Sequence, residues 1–212
     1  MVNPLSLFSK YLHWLHTRWP AGRVEQLPDV QPDGTCSLPG VRIVGDLTGI
    51  PLLKFSAHSG ARAVQSLLQE PDFIKPETQN SKPETLDLAI IGAGVSGVAA
   101  AIEAKKHGLN FRLYEATQIF STVANFPKRK PIYTYPTGMT PAGDLQFSAQ
   151  IKEDLLAEME QQRQQAGVEI TEARIERIQA QGNLILLHHG DGRPPRTSPP
   201  RHRRHRTQRQ LS

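Results

Sequence analysis

Between Leu86 and Ala116 the chain reads LDLAIIGAGVSGVAAAIEAKKHGLNFRLYEA, and this stretch limits the possible folds more than any other. Leu86 to Ile91 is an apolar run of strand length that ends at a glycine, followed by small residues and a helix-length segment. The pattern predicts a strand, a tight turn and a helix. Gly92, Gly94 and Gly97 stand in GxGxxG spacing. In such a turn the first glycine permits the bend, the second admits a pyrophosphate to the backbone, and the third lets helix and strand pack closely. The phosphates then rest on free N–H groups at the helix N-terminus. Gly92, Gly94, Val95, Ser96 and Gly97 are therefore the expected pyrophosphate-binding residues. Ala101 and Gly108 continue the small-residue pattern, and a second apolar strand, Phe111 to Tyr114, ends in Glu115. A carboxylate there is placed to accept hydrogen bonds from ribose 2′- and 3′-hydroxyls and would repel a 2′-phosphate. Dinucleotide binding is the expectation. The plainer alternative is a glycine-rich turn in an unrelated α/β unit.

The formal net charge of +5 belongs to one end of the chain. Residues 193–212 hold seven arginines and no acid, leaving 18 basic against 20 acidic residues in the remainder. A near-neutral body does not read as a nucleic-acid-binding domain. The single cysteine, Cys36, excludes an internal disulfide framework and a CxxC redox or zinc site built by this chain alone, and it fits a reducing, cytoplasmic setting. No apolar run reaches the roughly eighteen residues that span a bilayer, and the N-terminus lacks a signal-peptide apolar core. No metal site is expected, since His13 and His16 have no evident third ligand.

Taken in order, residues 1–74 are expected to form an N-terminal segment. Asn3 to Trp19 has Leu5, Phe8, Leu12, Leu15 and Trp19 on one helical face, and Pro20 stops it. Such a basic amphipathic helix either packs on its own domain or contacts a membrane surface or partner. Val41 to Val44 reads as a short strand ended by Gly45 and Asp46, and Pro51 marks the first turn of a helix to about Gln69. An aspartate between a strand and a helix N-terminus suits a polyol hydroxyl, although Gly-Asp is also ordinary turn chemistry.

With both segments in view, the chain resembles the flavin-dependent pyridine-nucleotide oxidoreductases of the thioredoxin-reductase and flavin-monooxygenase superfamily. Gly92, Gly94, Gly97, Ala101, Gly108 and Glu115 match the FAD fingerprint of that superfamily, and VRIVGD, Val41 to Asp46, is similar to its flavin-closing motif. The resemblance implies FAD as cofactor, with Asp46 holding the ribityl chain, and NAD(P)H as the nicotinamide cofactor or a redox partner in its place. It implies hydride transfer from nicotinamide to flavin in the intact family. In that superfamily the Gly-Asp segment follows the fingerprint, whereas here it precedes it. The order implies either a permuted arrangement or a remnant of a preceding reductase module. No second GxGxxG follows, and no cysteine pair stands where the glutathione-reductase type carries one. Disulfide chemistry at the flavin is not expected, and no catalytic acid, base or nucleophile stands out.

Residues 75–85, which include a repeated KPE, read as a linker. Thr117 to Gly143, rich in proline and aromatics, resembles the loop that passes the isoalloxazine in related reductases, with Lys128, Arg129 and Lys130 expected in solvent. Asp144 is expected to cap a helix to about Ala166 with Gly167 after it, and Val168 to Ile178 and Asn183 to His189 read as strands about Gly182, the superfamily's β-meander. His188 and His189 read as strand residues.

The expectation for residues 86–192 is thus an α/β, Rossmann-like FAD/NAD(P)-binding βαβ domain with a β-meander, incomplete, followed by a disordered basic tail over 193–212. Two explanations of the tail stand. One is a basic arm for nucleic acid or an anionic surface, which goes with a non-enzymatic nucleotide-binding or interaction module. The other is a shifted reading frame. With suitable codons, Arg201 to Gln210 read one nucleotide later encodes VIVAIGRSGN, an apolar strand of the kind the superfamily places after the meander. On that second account the chain is a truncated product of a longer reductase with impaired activity.

Overall fold

The computed structural model describes residues 28–70, Phe73, 86–182 and 184–190, and the backbone of Arg196–Ser198. The N-terminal segment Asn3 to Trp19, the linker at 75–85 and tail residues 199–212 lie outside these.

Helix α1 is Leu53–Leu68 and strand β1 is Leu88–Ile91. Helix α2, Val95–Lys106, follows the glycine turn, and strand β2 is Phe111–Glu115. Alanine-rich composition favours α2, and Lys105 and Lys106 in its last turn complement the helix dipole. Gly108, at φ 66°, turns the chain back toward β2. A one-turn helix α3, Ser121–Ala124, interrupts the proline-rich stretch. Helix α4, Lys152–Gln165, leads through Gly167, at φ 64°, to β3, Ile170–Glu172. Strands β1, β2 and β3 form a parallel sheet in the order β1-β2-β3, with Ile90 opposite Leu113 and Leu113 opposite Ile170. Strands β4 (Ile175–Gln181), β5 (Leu184–His189) and β6 (Arg196–Ser198) form an antiparallel meander.

Alternation along the strands decides what covers each face of the parallel sheet. Ile90 and Leu113 point into a core shared with Ala57 and Val64 of α1, Val98 and Ala101 of α2, and Leu155 and Met159 of α4. Tyr114 points the other way, into a second core with Leu86, Ile185 and Leu187 beneath the meander. A parallel sheet covered on both faces reads as a continuous apolar run, which is why LAII shows no alternation.

Four expectations need correction. Val41 to Val44 is extended chain with an isolated bridge between Thr35 and Arg42, not a strand, because among the described residues its only ladder partner is the tight turn at Gln31 to Thr35. Helix α4 begins at Lys152, not at Asp144. Asp144 instead pairs with Lys106 at 3.0 Å, and side chains of α4 occupy the backbone ahead of it: Gln162 exchanges two hydrogen bonds with Gln146, and Glu158 accepts from the N–H groups of Ser148 and Ala149. Those bonds replace the ones a helical turn would have made. Val168 to Ile178 is divided between two sheets, since the Ala173 N–H closes on Glu115 O at the end of β2 before β4 starts. The tail is not disordered throughout: Arg196–Ser198 pairs with Ile185–Leu187.

Candidate functional site

The three glycines of the turn have three different physical reasons. Gly92 lies at φ 94°, which only glycine adopts without strain, and its N–H donates to Tyr114 O at 2.8 Å. Gly97 packs against the turn itself, so a Cβ there would overlap the carbonyl oxygen of Gly92. Gly94 has an ordinary φ of −73°, and a Cβ on it would meet nothing within 4 Å. Neither the backbone conformation nor the packing of this fold demands glycine at Gly94.

Gly94 is also the N-cap of α2, and no side chain caps that helix. The N–H groups of Val95, Ser96 and Gly97 are the first-turn donors that lack intrahelical partners, at the positive end of the dipole. Glu115 reaches this turn from β2. Its Oε2 accepts the Ala93 N–H at 2.7 Å, while Oε1 accepts the N–H groups of Ala116 and Thr117 and the Thr117 hydroxyl. Each carboxylate oxygen has about two lone-pair sites; three of the four donors crowd onto Oε1 and one is on Oε2, so Oε2 is the oxygen with a site open. Burial pushes the Glu115 carboxyl up, but these donors outweigh it and hold it below the usual carboxylate range.

The upstream segment meets the same turn. Gly45, buried and at φ 74°, packs so tightly on Ser96 that a Cβ would overlap its hydroxyl, and a Cβ on Gly60 of α1 would overlap the Ser96 carbonyl. Residues Gly45–Thr48 make a 3₁₀ turn held by α1: Ser59 Oγ accepts the Gly45 N–H at 2.9 Å, and Ser56 Oγ donates to Asp46 Oδ1 at 2.7 Å. Asp46 thus stands exposed beside the N-terminus of α2. Separation in sequence does not keep the two segments apart: Gly45 rests on Ser96.

A cavity of about 790 Å³ joins them, with Asp46, Gly92, Gly94, Ser96 and Tyr133 among its lining residues. Its volume lies in the range of small-molecule and cofactor sites. The proline-rich stretch, expected from the resemblance to pass beside a cofactor, supplies one wall of this cavity, although the sequence singled out none of its lining side chains. Tyr133 stacks near Tyr135 with centroids 6.2 Å apart, and Lys130, exposed as expected, also lies over the Phe126 ring at 3.7 Å. Lys54, buried, anchors this stretch by donating to the Pro136 carbonyl at 2.9 Å. A lysine set among apolar residues, Leu52-Leu53-Lys54-Phe55, is the signal that marks Lys54. Tyr133 carries none. Among the described residues no helix is long and apolar enough to cross a membrane.

Residues 90–141 match the family model of the NAD(P)-binding Rossmann-like domain. Curated proteins supply no sequence match. Among solved structures, the bacillithiol disulfide reductase Bdr of Staphylococcus aureus is 16% identical with a TM-score of 0.47, over 54% of this chain and 36% of that one. A flavin monooxygenase of Stenotrophomonas maltophilia is 18% identical with a TM-score of 0.45, over 54% and 36%. A thioredoxin reductase of Streptococcus pyogenes is 19% identical with a TM-score of 0.43, over 56% and 34%. The chain spans about a third of the length of these proteins. The matched residues 90–141, which fold as the end of β1, the glycine turn, α2 and β2, are thus similar in sequence to an NAD(P)-binding Rossmann-like domain.

Proposed function

We propose that this chain binds FAD and is the FAD-binding portion of an FAD/NAD(P)H-dependent oxidoreductase in a reducing, cytoplasmic setting. The observation that carries the reading is Gly94, a glycine for which the fold has no use, at an uncapped helix N-terminus. A bound group that must approach the backbone gives it one, and a pyrophosphate is such a group. The residues fit the rest of FAD. Gly92, Gly94, Val95, Ser96 and Gly97 take the pyrophosphate, and the remaining Oε2 site of Glu115 takes a ribose hydroxyl. Asp46, fixed by Ser56 beside Ser96, takes a hydroxyl of the ribityl chain, with Gly45 giving it the close approach. The reading is therefore of a permuted arrangement in which the closing segment precedes the fingerprint. When bound, FAD supplies an acceptor for hydride from NAD(P)H. The protein supplies binding and orientation.

The purified chain is expected to carry or take up flavin, with absorbance bands near roughly 375 and 450 nm, which are properties of the flavin itself. Salt-dependent retention on DNA by a colourless protein that takes up no added FAD would overturn the proposal in favour of an interaction module with a basic tail.

A further inference from the structure

Lys54 stands where the fold gives a cation no support. It is the second residue of α1, 8% exposed, in a first turn with no acid and no side-chain cap. The positive end of a helix dipole disfavours a cation, and burial costs it further unless hydrogen bonds replace its hydration. Among the described residues no carboxylate pairs with it. Its ammonium donates to backbone carbonyls instead, to Pro136 O at 2.9 Å and to Thr137 O at 3.3 Å. An apolar side chain of similar length would suit α1 better.

The stretch that receives those bonds has little else to hold it. Its near end is fixed where the Ile132 N–H donates to Gln150 O at 2.8 Å. Its far end is fixed at Pro141 to Gly143, where Gln146 Nε2 donates to the carbonyls of Pro141 and Gly143 and the Ala142 N–H donates to His58 Nδ1 at 3.1 Å. Between these ends, among the described residues, the hydrogen bonds that tie residues 133–140 to the rest of the chain are the two from Lys54. The Met139 N–H closes a turn on Pro136 O within the stretch itself. Packing adds little, since Tyr133 is 73% and Tyr135 56% exposed. Tyr133 lines the cavity and lies close in sequence to the tied carbonyls. Lys54 is therefore what keeps this wall against α1.

We propose that Lys54 is a positioning residue for the cofactor: by holding Pro136 and Thr137 it fixes Tyr133 as a wall of the cavity. The proposal rests on the reading of that cavity as the FAD site. A wall already in place costs a ligand no ordering, whereas a released one must be ordered on binding. The neighbouring tie supplies a contrast. His58, one helical turn further along α1, accepts a single N–H at an end that Gln146 already holds, so its loss leaves Tyr133 in place.

FAD is titrated calorimetrically into the full chain and its variants, and chymotryptic cleavage after Tyr133 is followed without flavin. Lys54→Met should weaken FAD about tenfold, speed that cleavage about tenfold, and leave the melting temperature at or above that of the wild type. Lys54→Gln, one bond too short for the same carbonyls, should behave as Lys54→Met does. Lys54→Arg, which keeps charged donors, should restore both readouts to within about threefold. Tyr133→Ala should also weaken FAD about tenfold, and combining it with Lys54→Met should weaken it no further, because the lysine acts through the tyrosine. His58→Phe should stay within about twofold of the wild type. FAD affinity unchanged in Lys54→Met and Lys54→Gln, cleavage unchanged, or losses that multiply in the double variant each overturn the proposal. So does a melting temperature lowered in both Lys54 variants, since the lysine would then serve the fold. A wild-type chain that takes up no FAD overturns the FAD reading and this proposal with it, while the cleavage rates still show whether Lys54 holds the wall.

Discussion

The glycine turn has two flanks built on opposite principles. On the α1 side, glycine, serine and alanine bring two helices together until Gly60 rests on the Ser96 carbonyl, with no room for a single added carbon. On the β1 side, apolar side chains stand apart around a cavity of about 790 Å³. The closed flank fixes the shape of the turn, and the open flank gives access to it. A dinucleotide site needs both, because phosphate recognition by backbone N–H groups depends on a rigid turn that a ligand can reach.

Breaking the closed flank should have the largest effect. Gly60→Val forces a branched side chain against Ser96 and is expected to cost about 3 kcal/mol in urea unfolding while releasing flavin. Stability and flavin content both unchanged would mean that α1 does not shape the turn. Next comes the clamp from β2. Glu115→Gln keeps the shape but replaces a charged acceptor by a neutral one, with an expected cost of about 1 kcal/mol and roughly tenfold weaker FAD binding. The pH dependence follows in sign. Glu115 has a folded-state pKa lowered from 4.5, so its contribution is fully present above that unfolded value and is lost as pH falls through the lower folded one. Flavin retention should therefore be level above about pH 4.5 and decline below it, and Glu115→Gln should remove this acid limb. The smallest effect is expected beneath the open flank. The Tyr114 hydroxyl is buried without a hydrogen-bond partner among the described residues, and the Tyr114 and His189 rings stand with centroids 5.7 Å apart. Tyr114→Phe removes that orphaned group and should leave stability unchanged or raise it by up to about 1 kcal/mol. A loss of more than that in calorimetry would reveal a partner for the hydroxyl.

How far these features were legible in the sequence depended on whether the cause was local. The βαβ unit was readable because one short segment contains its strand, its turn glycines and an alanine-rich helix. The Gly45–Asp46 turn was readable as a turn, but its neighbour was not, since contact between Gly60 and Ser96 is set by helix crossing rather than by spacing. The start of α4 was misplaced because Asp144 has the chemistry of a cap, while the hydrogen bonds of Gln146, Ser148 and Ala149 go to side chains more than a turn further on. Val41 to Val44 has strand composition but no ladder beside it, and composition alone does not supply one. Strand β6 lay in a stretch whose charge reads as solvated arm, and pairing with β5 overrode that reading.

The central claim is that Gly94 is a glycine for the sake of a ligand rather than of the fold. Calorimetric titration of FAD into the wild-type chain and into Gly94→Val tests it most directly, with far-UV circular dichroism and thermal melting recorded on both. The account predicts unchanged spectra, a melting temperature within about 2 °C of wild type and at least a hundredfold loss of FAD affinity. Equal FAD affinity in the two proteins would contradict it.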